Sequence, residues 1–385
     1  RQEGGAAFMA CADGAMTGRP GVCFVTRGPG ATNASIGVHV ASQDSQPLIL
    51  FIGDVDRSMR DREGFQEVDF GMMFAPLAKQ VLRIDDPARI PEYVARAWAT
   101  AIAGRPGPVV VALPEDMLLE QVSGAAPRPA VVRPAQAPCP DAMGVLMGLL
   151  EDAAAPIAIV GGAGWHAKAR EHFTRFAEKI GLPVAGAFRR QDAIANSSPV
   201  WAGNLGYGPN PRLVERIRQA DLVLAVGARL GEATTDGYSL ITPDHPLQTL
   251  IHVHPDPEEL GKVYRADLAL CADMGEFAEA ALMFCDDVVP FDAGDEAHCE
   301  WLDWTTADEA LIDYTASLIR LRQRFAQFRS DRWLSGDTDA TGQRDVSWWH
   351  PDGREMSEHD WNVSPGTLGM LLASPPPDGS EQPNP

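Results

Sequence analysis

Along residues 1 to about 117 the apolar positions switch between two spacings. Short β-branched runs, "GVCFVT" (21–26), "PLILFIG" (47–53) and "GPVVVALP" (107–114), are bounded by glycine and proline and carry apolar residues at nearly every position. Runs of this kind read as strands buried on both faces, the pattern of a parallel sheet. Between them "IPEYVARAWATAIAG" (90–104) repeats its apolar residues at helical spacing and stops on glycine. Residues 118–142 hold five prolines and little periodicity, which predicts an extended linker. A second series follows: "PIAIVGGAG" (156–164), "LPVAGAF" (182–188), "DLVLAVGARLGE" (221–232) and "TLIHVHPDP" (249–257), with "PRLVERIRQA" (211–220) as one intervening helix. The pattern predicts an α/β protein with two doubly wound parallel-sheet domains, 1–117 and 143–285.

Near 285–297 the alternation stops. Six of the nine tryptophans lie between 301 and 361, and "EALIDYTASLIRLRQRFAQF" (309–328) reads as one amphipathic helix. A Trp-rich helical or irregular segment is expected over 297–373, with a disordered tail at 374–385 rich in proline and polar residues. The chain opens on Arg1 already inside a helix-like stretch, so its first domain is expected to be incomplete at the amino end.

Bulk composition narrows the classes. At 385 residues, 45% apolar and 22% charged, the chain can bury sizeable cores. A net charge of −21 argues against nucleic-acid binding, which needs clustered Lys and Arg. Six cysteines at 11, 23, 139, 271, 285 and 299 form no CxxC pair, which suits reduced thiols and a cytoplasmic location. The longest apolar runs are too short to cross a bilayer, so no membrane association is expected.

Chemistry concentrates where strand 22–26 breaks into "RGPGATN" (27–33). Gly28 and Gly30 permit tight backbone geometry and close approach of a ligand, and Asn33 stands near the start of the next helix. A glycine turn after a strand is also a common structural device. Glu3, read by itself, is a carboxylate complementing a helix dipole.

Four ordered stretches change that reading: "RQEGGAAFMACADGAMTGRPGVCFVTRGPGATN", "EGFQEVDF" (63–70), "LAKQV" (77–81) and "GRPGPVVVALPEDM" (104–117). Together they resemble the pyrimidine-binding domain of thiamine diphosphate enzymes, most closely the acetolactate synthase family. "IVGGAG", "VLAVGARLGE" and "HVHPDPEELGK" resemble that family's central domain. The resemblance implies that Glu3 is the catalytic glutamate. A carboxyl there binds N1′ of the aminopyrimidine and favours the imino tautomer, which takes the proton from C2 of the thiazolium before attack on a 2-keto acid. It further implies that Gly28, Pro29 and Asn33 lie beside the cofactor, that Phe65 and Gln66 face the reacting centre, and that Lys79 lies near the substrate channel. Gly161, Gly162 and Gly164, with Gly227, Ala228 and Arg229, fall where relatives hold FAD, although close strand packing explains the glycines as well.

In that family the diphosphate is held through Mg²⁺ by a Gly-Asp-Gly segment with a later Asn, oxygen ligands suited to a hard cation. No such segment is found. Gly336-Asp337 is followed by Thr338, and Asn362 is distant. The diphosphate-binding part is therefore expected from a partner, either a homo-oligomer or a complete family subunit. Residues 297–373, through "WLDWTTADEALIDYTASLIRLRQRFAQF" and "DVSWWHPDGREMSEHDWNV", resemble the end of a glycogen-debranching glycoside hydrolase of the α-amylase class. Its carboxylates Asp303, Asp308 and Glu309 read better as a solvated helix start than as a glycosidase pair. The expected function is a thiamine diphosphate-dependent carboligase or decarboxylase of 2-keto acids, inactive alone. A non-catalytic FAD or nucleotide-binding module and a debranching-hydrolase fragment are the alternatives.

Overall fold

In a computed structural model of the chain, the described residues are 2–123, 126–129, 131–291, 308–325, 336, 338, 344–357, 359–362 and 369–372. The chain divides into two compact units, Arg1–Trp301 and Leu302–Pro385.

The first half of the larger unit begins with helix α1 (Glu3–Thr17), capped by the Gln2 side chain on Gly5 N at 2.7 Å. The helix stops at Gly18, whose left-handed φ of 68° lets its N–H close on the Gly14 carbonyl. Then come β1 (Gly21–Val25), α2 (Gly28–Gln43), β2 (Leu48–Asp54), α3 (Phe70–Phe74), β3 (Gln80–Arg83), α4 (Ile90–Ile102), β4 (Pro108–Pro114) and the short α5 (Glu115–Leu118). The strands form a four-stranded parallel sheet in the order β1-β2-β4-β3. Alternate residues of β2 and β4 feed two cores. Leu50, Ile52 and Val110 pack with α1, α2 and α3 on one face, while Ile49, Val109 and Val111 pack with α4 and Met117 of α5 on the other. That two-sided covering is why these strands read as unbroken apolar runs.

The second half contains α6 (Pro140–Glu151), β5 (Pro156–Val160), α7 (Ala167–Ile180), β6 (Val184–Gly186), β7 (Trp201–Asn204), α8 (Pro211–Arg218), β8 (Leu222–Val226), β9 (Thr249–His254), β10 (Leu268–Cys271) and α9 (Met274–Phe284). Its six-stranded parallel sheet runs β10-β9-β8-β5-β6-β7. The strand order reverses direction between β5 and β8, and this switch point is where open α/β sheets leave a crevice. Helices α6, α7 and α9 bury Leu146, Phe173, Phe176 and Phe277 on one face, and α8 buries Leu213 and Ile217 on the other.

Arginines tie the two halves together at the carboxyl end of α2. Arg105 donates to Ser45 Oγ at 2.9 Å and to the Ser42 carbonyl, and pairs with Glu259 at 3.0 Å. Arg229 donates to the Gln43 carbonyl at 2.8 Å, and Arg189 pairs with Asp44 at 2.8 Å. Cations at this end also complement the helix dipole.

The smaller unit contains α10 (Glu309–Arg324) and an antiparallel pair, β11 (Val346–Trp349) with β12 (Gly369–Leu372). The expected helical or irregular segment thus carries a two-stranded ladder as well, whose pairing spans a sequence gap that local patterning does not reveal. The amphipathic helix forms, but Leu311, Ile312, Leu318 and Ile319 on it are exposed. Asp308 accepts from Leu311 N at 3.1 Å, so it is a helix cap. Asp303, Asp337 and the tail 374–385 lie outside the described residues. Among the described residues no helix is long and apolar enough to cross a membrane.

Phe173 is fully buried and meets Trp165 edge-on at 5.4 Å. Phe173→Ala should therefore cost about 3–5 kcal/mol, read as a lower urea midpoint by circular dichroism. An unchanged midpoint would show that α7 does not carry this core.

Candidate active site and central cleft

The first site grows from the contact between α1 and α2. Glu3 lies in the first turn of α1, where negative charge meets the positive end of the helix dipole. Asn33, in the second turn of α2, donates its side-chain N–H to Glu3 Oε2 at 3.1 Å. Glu3's own backbone N–H and then the Asn33 amide hold the carboxyl below the ordinary glutamate range, so it is an acceptor-only carboxylate at neutral pH. Gly28 begins α2 and Pro29 follows at a position whose missing N–H costs nothing. Thus Glu3, Gly28, Pro29 and Asn33, named from the sequence, come together.

The loop after β2 joins them from the other side. The Gly28 N–H donates to the Gln66 carbonyl at 3.1 Å, and a Cβ on Gly28 would sit only 2.7 Å from that oxygen. Glycine is thus required at position 28 by close backbone approach. Gln66 has a left-handed φ of 63°, as do Asp61 (62°) and Glu63 (55°). Such φ values are uncommon for residues with a Cβ. Phe65 is 80% exposed, projecting beside the turn, and Gln66 lines a hollow of ≈ 690 Å³ whose floor includes Asp54 and Arg83. Asp54 is buried, which raises its pKa, and Arg83 pairs with it at 3.0 Å. Sequence reasoning did not find this pair. The only signal was an aspartate ending an apolar strand run.

Lys79 does not join the group. It precedes β3, at the amino end of the strands, whereas Gly28 follows β1 at their carboxyl end. Roughly 15 Å of strand separates the two ends at about 3.3 Å per residue. Its ammonium donates to the carbonyls of Ala103 at 2.6 Å and Arg105 at 2.8 Å. Desolvation there pulls its pKa down to about 8.

The second site is a cleft of ≈ 640 Å³ at the switch point, between the carboxyl end of α2 and the turns after β5, β6 and β8. Of the six central-domain residues singled out from the sequence, Gly162, Ala228 and Arg229 line it. Gly161 and Gly227 serve packing instead. A Cβ on Gly161 would lie 2.7 Å from Ala187 Cβ, and one on Gly227 would lie 2.5 Å from the Gly161 carbonyl. Gly164 has a φ of 89° and lies against Met274. Arg189, Arg190, Phe188 and Tyr207 also line the cleft, and the two rings meet edge-on at 5.4 Å. Burial lowers the pKa of both Arg190 and Arg229. Arginine at these depths remains charged.

Asn33→Ala should raise the Glu3 pKa toward the ordinary value, because it removes a donor to the charged form. Carbon-13 NMR of the glutamate carboxyls checks this. An unmoved Glu3 titration would remove Asn33 from the site.

Residues 1–73 match the family model described as thiamine pyrophosphate enzyme, N-terminal TPP binding domain, and residues 145–281 match thiamine pyrophosphate enzyme, central domain. The chain is 32% identical over 280 residues to an acetolactate synthase large subunit of Parasynechococcus marenigrum, covering 71% of this chain and 45% of that protein. It is 30% identical over 308 residues to the acetolactate synthase large subunit of Corynebacterium glutamicum, covering 79% and 48%. A probable acetolactate synthase large subunit of Methanocaldococcus jannaschii is 30% identical over 279 residues, covering 71% and 47%. The matched region spans about half the length of these curated relatives. Through its two parallel-sheet domains, the chain belongs to the thiamine pyrophosphate enzyme family.

Proposed function

We propose that the first domain holds the aminopyrimidine side of thiamine diphosphate in an acetolactate synthase-like carboligase or decarboxylase of 2-keto acids. The observation that carries this reading is the Glu3 carboxylate, fixed by Asn33 at 3.1 Å beside the Gly28 turn. An acceptor-only carboxylate favours the pyrimidine tautomer whose N1′ bears a proton, since only that tautomer can donate to it. When bound, the cofactor supplies a thiazolium carbon that adds to the keto group. Within this chain Glu3 holds the N1′ proton and Asn33 orients the carboxylate. The Gly28–Pro29 backbone allows a flat ring to approach, while Phe65 and Gln66 border the reacting centre. Lys79 is left without a place near Glu3, so its proposed substrate role would have to be exercised toward a neighbouring subunit.

The diphosphate and its Mg²⁺ would be held elsewhere. In the sequence the Gly336-Asp337 pair is followed by Thr338 in place of the second glycine. A complete family subunit would supply that half, seated against the first domain. The free cysteines, of which Cys11, Cys23 and Cys285 are buried, suit a reducing compartment such as the cytosol.

A second reading concerns the central cleft. Arg190 and Arg229, set at the switch point beside Phe188 and Tyr207, form a donor set that suits a phosphate-bearing nucleotide such as FAD. No chemical step is assigned to it.

The direct test supplies the chain with thiamine diphosphate, Mg²⁺, a 2-keto acid and a subunit carrying the diphosphate-binding half. CO₂ release should fall about 10²–10⁴-fold in Glu3→Gln, the usual weight of a positioned acid–base group. Equal rates for Glu3→Gln and the unaltered chain would sink the reading.

A further inference from the structure

The loop that carries Phe65 and Gln66 is held in an unusual shape by one side chain of the "EGFQEVDF" stretch to which the proposed chemistry gives no part. Between Asp61 and Gln66 three residues with a Cβ take left-handed φ angles: Asp61 at 62°, Glu63 at 55° and Gln66 at 63°. Backbone of this kind needs outside support to persist. The loop is anchored before this stretch by Arg57, which pairs with Asp116 at 2.6 Å, and by Arg60, which pairs with Asp85 at 2.8 Å. It is anchored after it by Asp69, which caps α3 through Met72 N at 2.9 Å.

Within the stretch, the Glu67 carboxylate is the acceptor for two backbone amides. Its Oε1 accepts from Asp61 N at 2.8 Å and its Oε2 from Gly64 N at 2.8 Å, while Glu67 N donates back to the Gly64 carbonyl at 2.9 Å. Both lobes of one carboxylate are therefore spent on closing the loop. One residue earlier, the Gln66 carbonyl receives the Gly28 N–H at 3.1 Å. The chain of contacts runs from Glu67 through the left-handed turn to the first residue of α2, the helix that carries Asn33.

We propose that Glu67 is a positioning residue. By bridging the amides of Asp61 and Gly64, its carboxylate holds the loop in the shape that presses Gln66 onto Gly28 and presents Phe65 beside the Glu3–Asn33 pair. The inference rests on the reading that this pair serves an aminopyrimidine, but its structural core does not. Two amide donors hold the Glu67 carboxyl below the ordinary glutamate range. The groups that face it are Arg83 of β3, which favours the charged form, and Asp54 at the end of β2, whose own pKa the Glu67 charge raises. A folded-state pKa below the unfolded value means that the clamp is fully present above the ordinary glutamate range and is lost as pH falls through the depressed value.

The test compares the full chain with Glu67→Gln, which keeps the shape but opposes one amide donor with another donor. Hydrogen exchange should quicken about tenfold or more, the scale of one hydrogen bond to a charged group, at Asp61, Gly64 and also Gly28. The strands β2 and β4 should stay protected and the melting temperature nearly fixed. In the unaltered chain, Gly28 exchange corrected for its intrinsic pH dependence should rise on acidification below the ordinary glutamate range, and Glu67→Gln should lose that step. Unchanged protection at Gly28 in the variant overturns the proposal, and so does a uniform loosening of the whole domain. Titration with thiamine diphosphate and Mg²⁺, in the presence of a subunit carrying the diphosphate-binding half, separates the two claims. If the unaltered chain fails to bind while Gly28 still responds to Glu67→Gln, the cofactor reading falls and the clamp stands. If it binds and the variant binds equally well, the clamp has no positioning role.

Discussion

The backbones of α1 and α2 touch, and the candidate active site depends on that contact. A Cβ on Gly37 would lie 2.4 Å from Ala7 Cβ, and one on Gly4 would lie 3.1 Å from the Asn33 carbonyl. Ala7, Ala31, Ala34 and Ala41 are fully buried, with Cys11 donating to the Gly37 carbonyl at 3.2 Å. Side chains larger than alanine on this seam would push the helices apart by more than a hydrogen bond tolerates. The Glu3–Asn33 contact spans two elements and survives only because the seam is made of glycine, alanine and cysteine. The small residues of "EGGAAFMACADGAM", a stretch that already reads as helix, are the condition for bringing a carboxylate to the glycine turn.

The two sheets then use one geometric rule twice. In both, the working turns gather at the carboxyl ends of parallel strands, Gly28 and Gln66 in the first sheet and Gly162, Ala228 and Arg229 in the second. Helix α2 joins them. Its first residues belong to the turn beside Glu3, and its last carbonyls are held by Arg105 and Arg229 at the edge of the central cleft. A rigid element of 16 residues thus fixes the distance between the two candidate sites. This bears directly on how an occupant of the cleft would lie relative to Glu3.

How much of this was legible in the sequence follows from the range of each interaction. Strands β2, β4, β5, β8 and β9 were readable because burial on both faces leaves continuous β-branched runs, whereas β1, at the sheet edge, was readable from its apolar residues although Val22 and Phe24 are exposed. Strands β3 (QVLR), β7 (WAGN) and β10 (LALC) escaped notice because they are four residues long and each lies partly open. Glu3, Gly28, Pro29 and Asn33 were found through motif order, and their assembly rests on short helix-to-helix spacing that composition hints at. The left-handed turn at Asp61, Glu63 and Gln66 was invisible, since no glycine marks those positions and the stabilising carboxylate binds only backbone. Lys79 shows what motif order leaves out. The motif order gives Lys79 a position along the chain, while strand direction sets it at the opposite end of the sheet from the Gly28 turn. The glycines of the central domain answer both demands, since packing and cleft alike select for a missing Cβ: Gly162 lines the cleft, yet a Cβ on it would also lie 2.1 Å from the Gly227 carbonyl.

The most direct measurement follows the carbon-13 resonance of the Glu3 carboxyl and the side-chain amide of Asn33 while thiamine diphosphate and Mg²⁺ are added to the chain together with a diphosphate-binding subunit. Both signals should shift in a saturable way, with the Glu3 resonance moving as a proton from N1′ comes to lie against it. Saturable binding that moves resonances elsewhere and leaves Glu3 and Asn33 where they were would contradict the account.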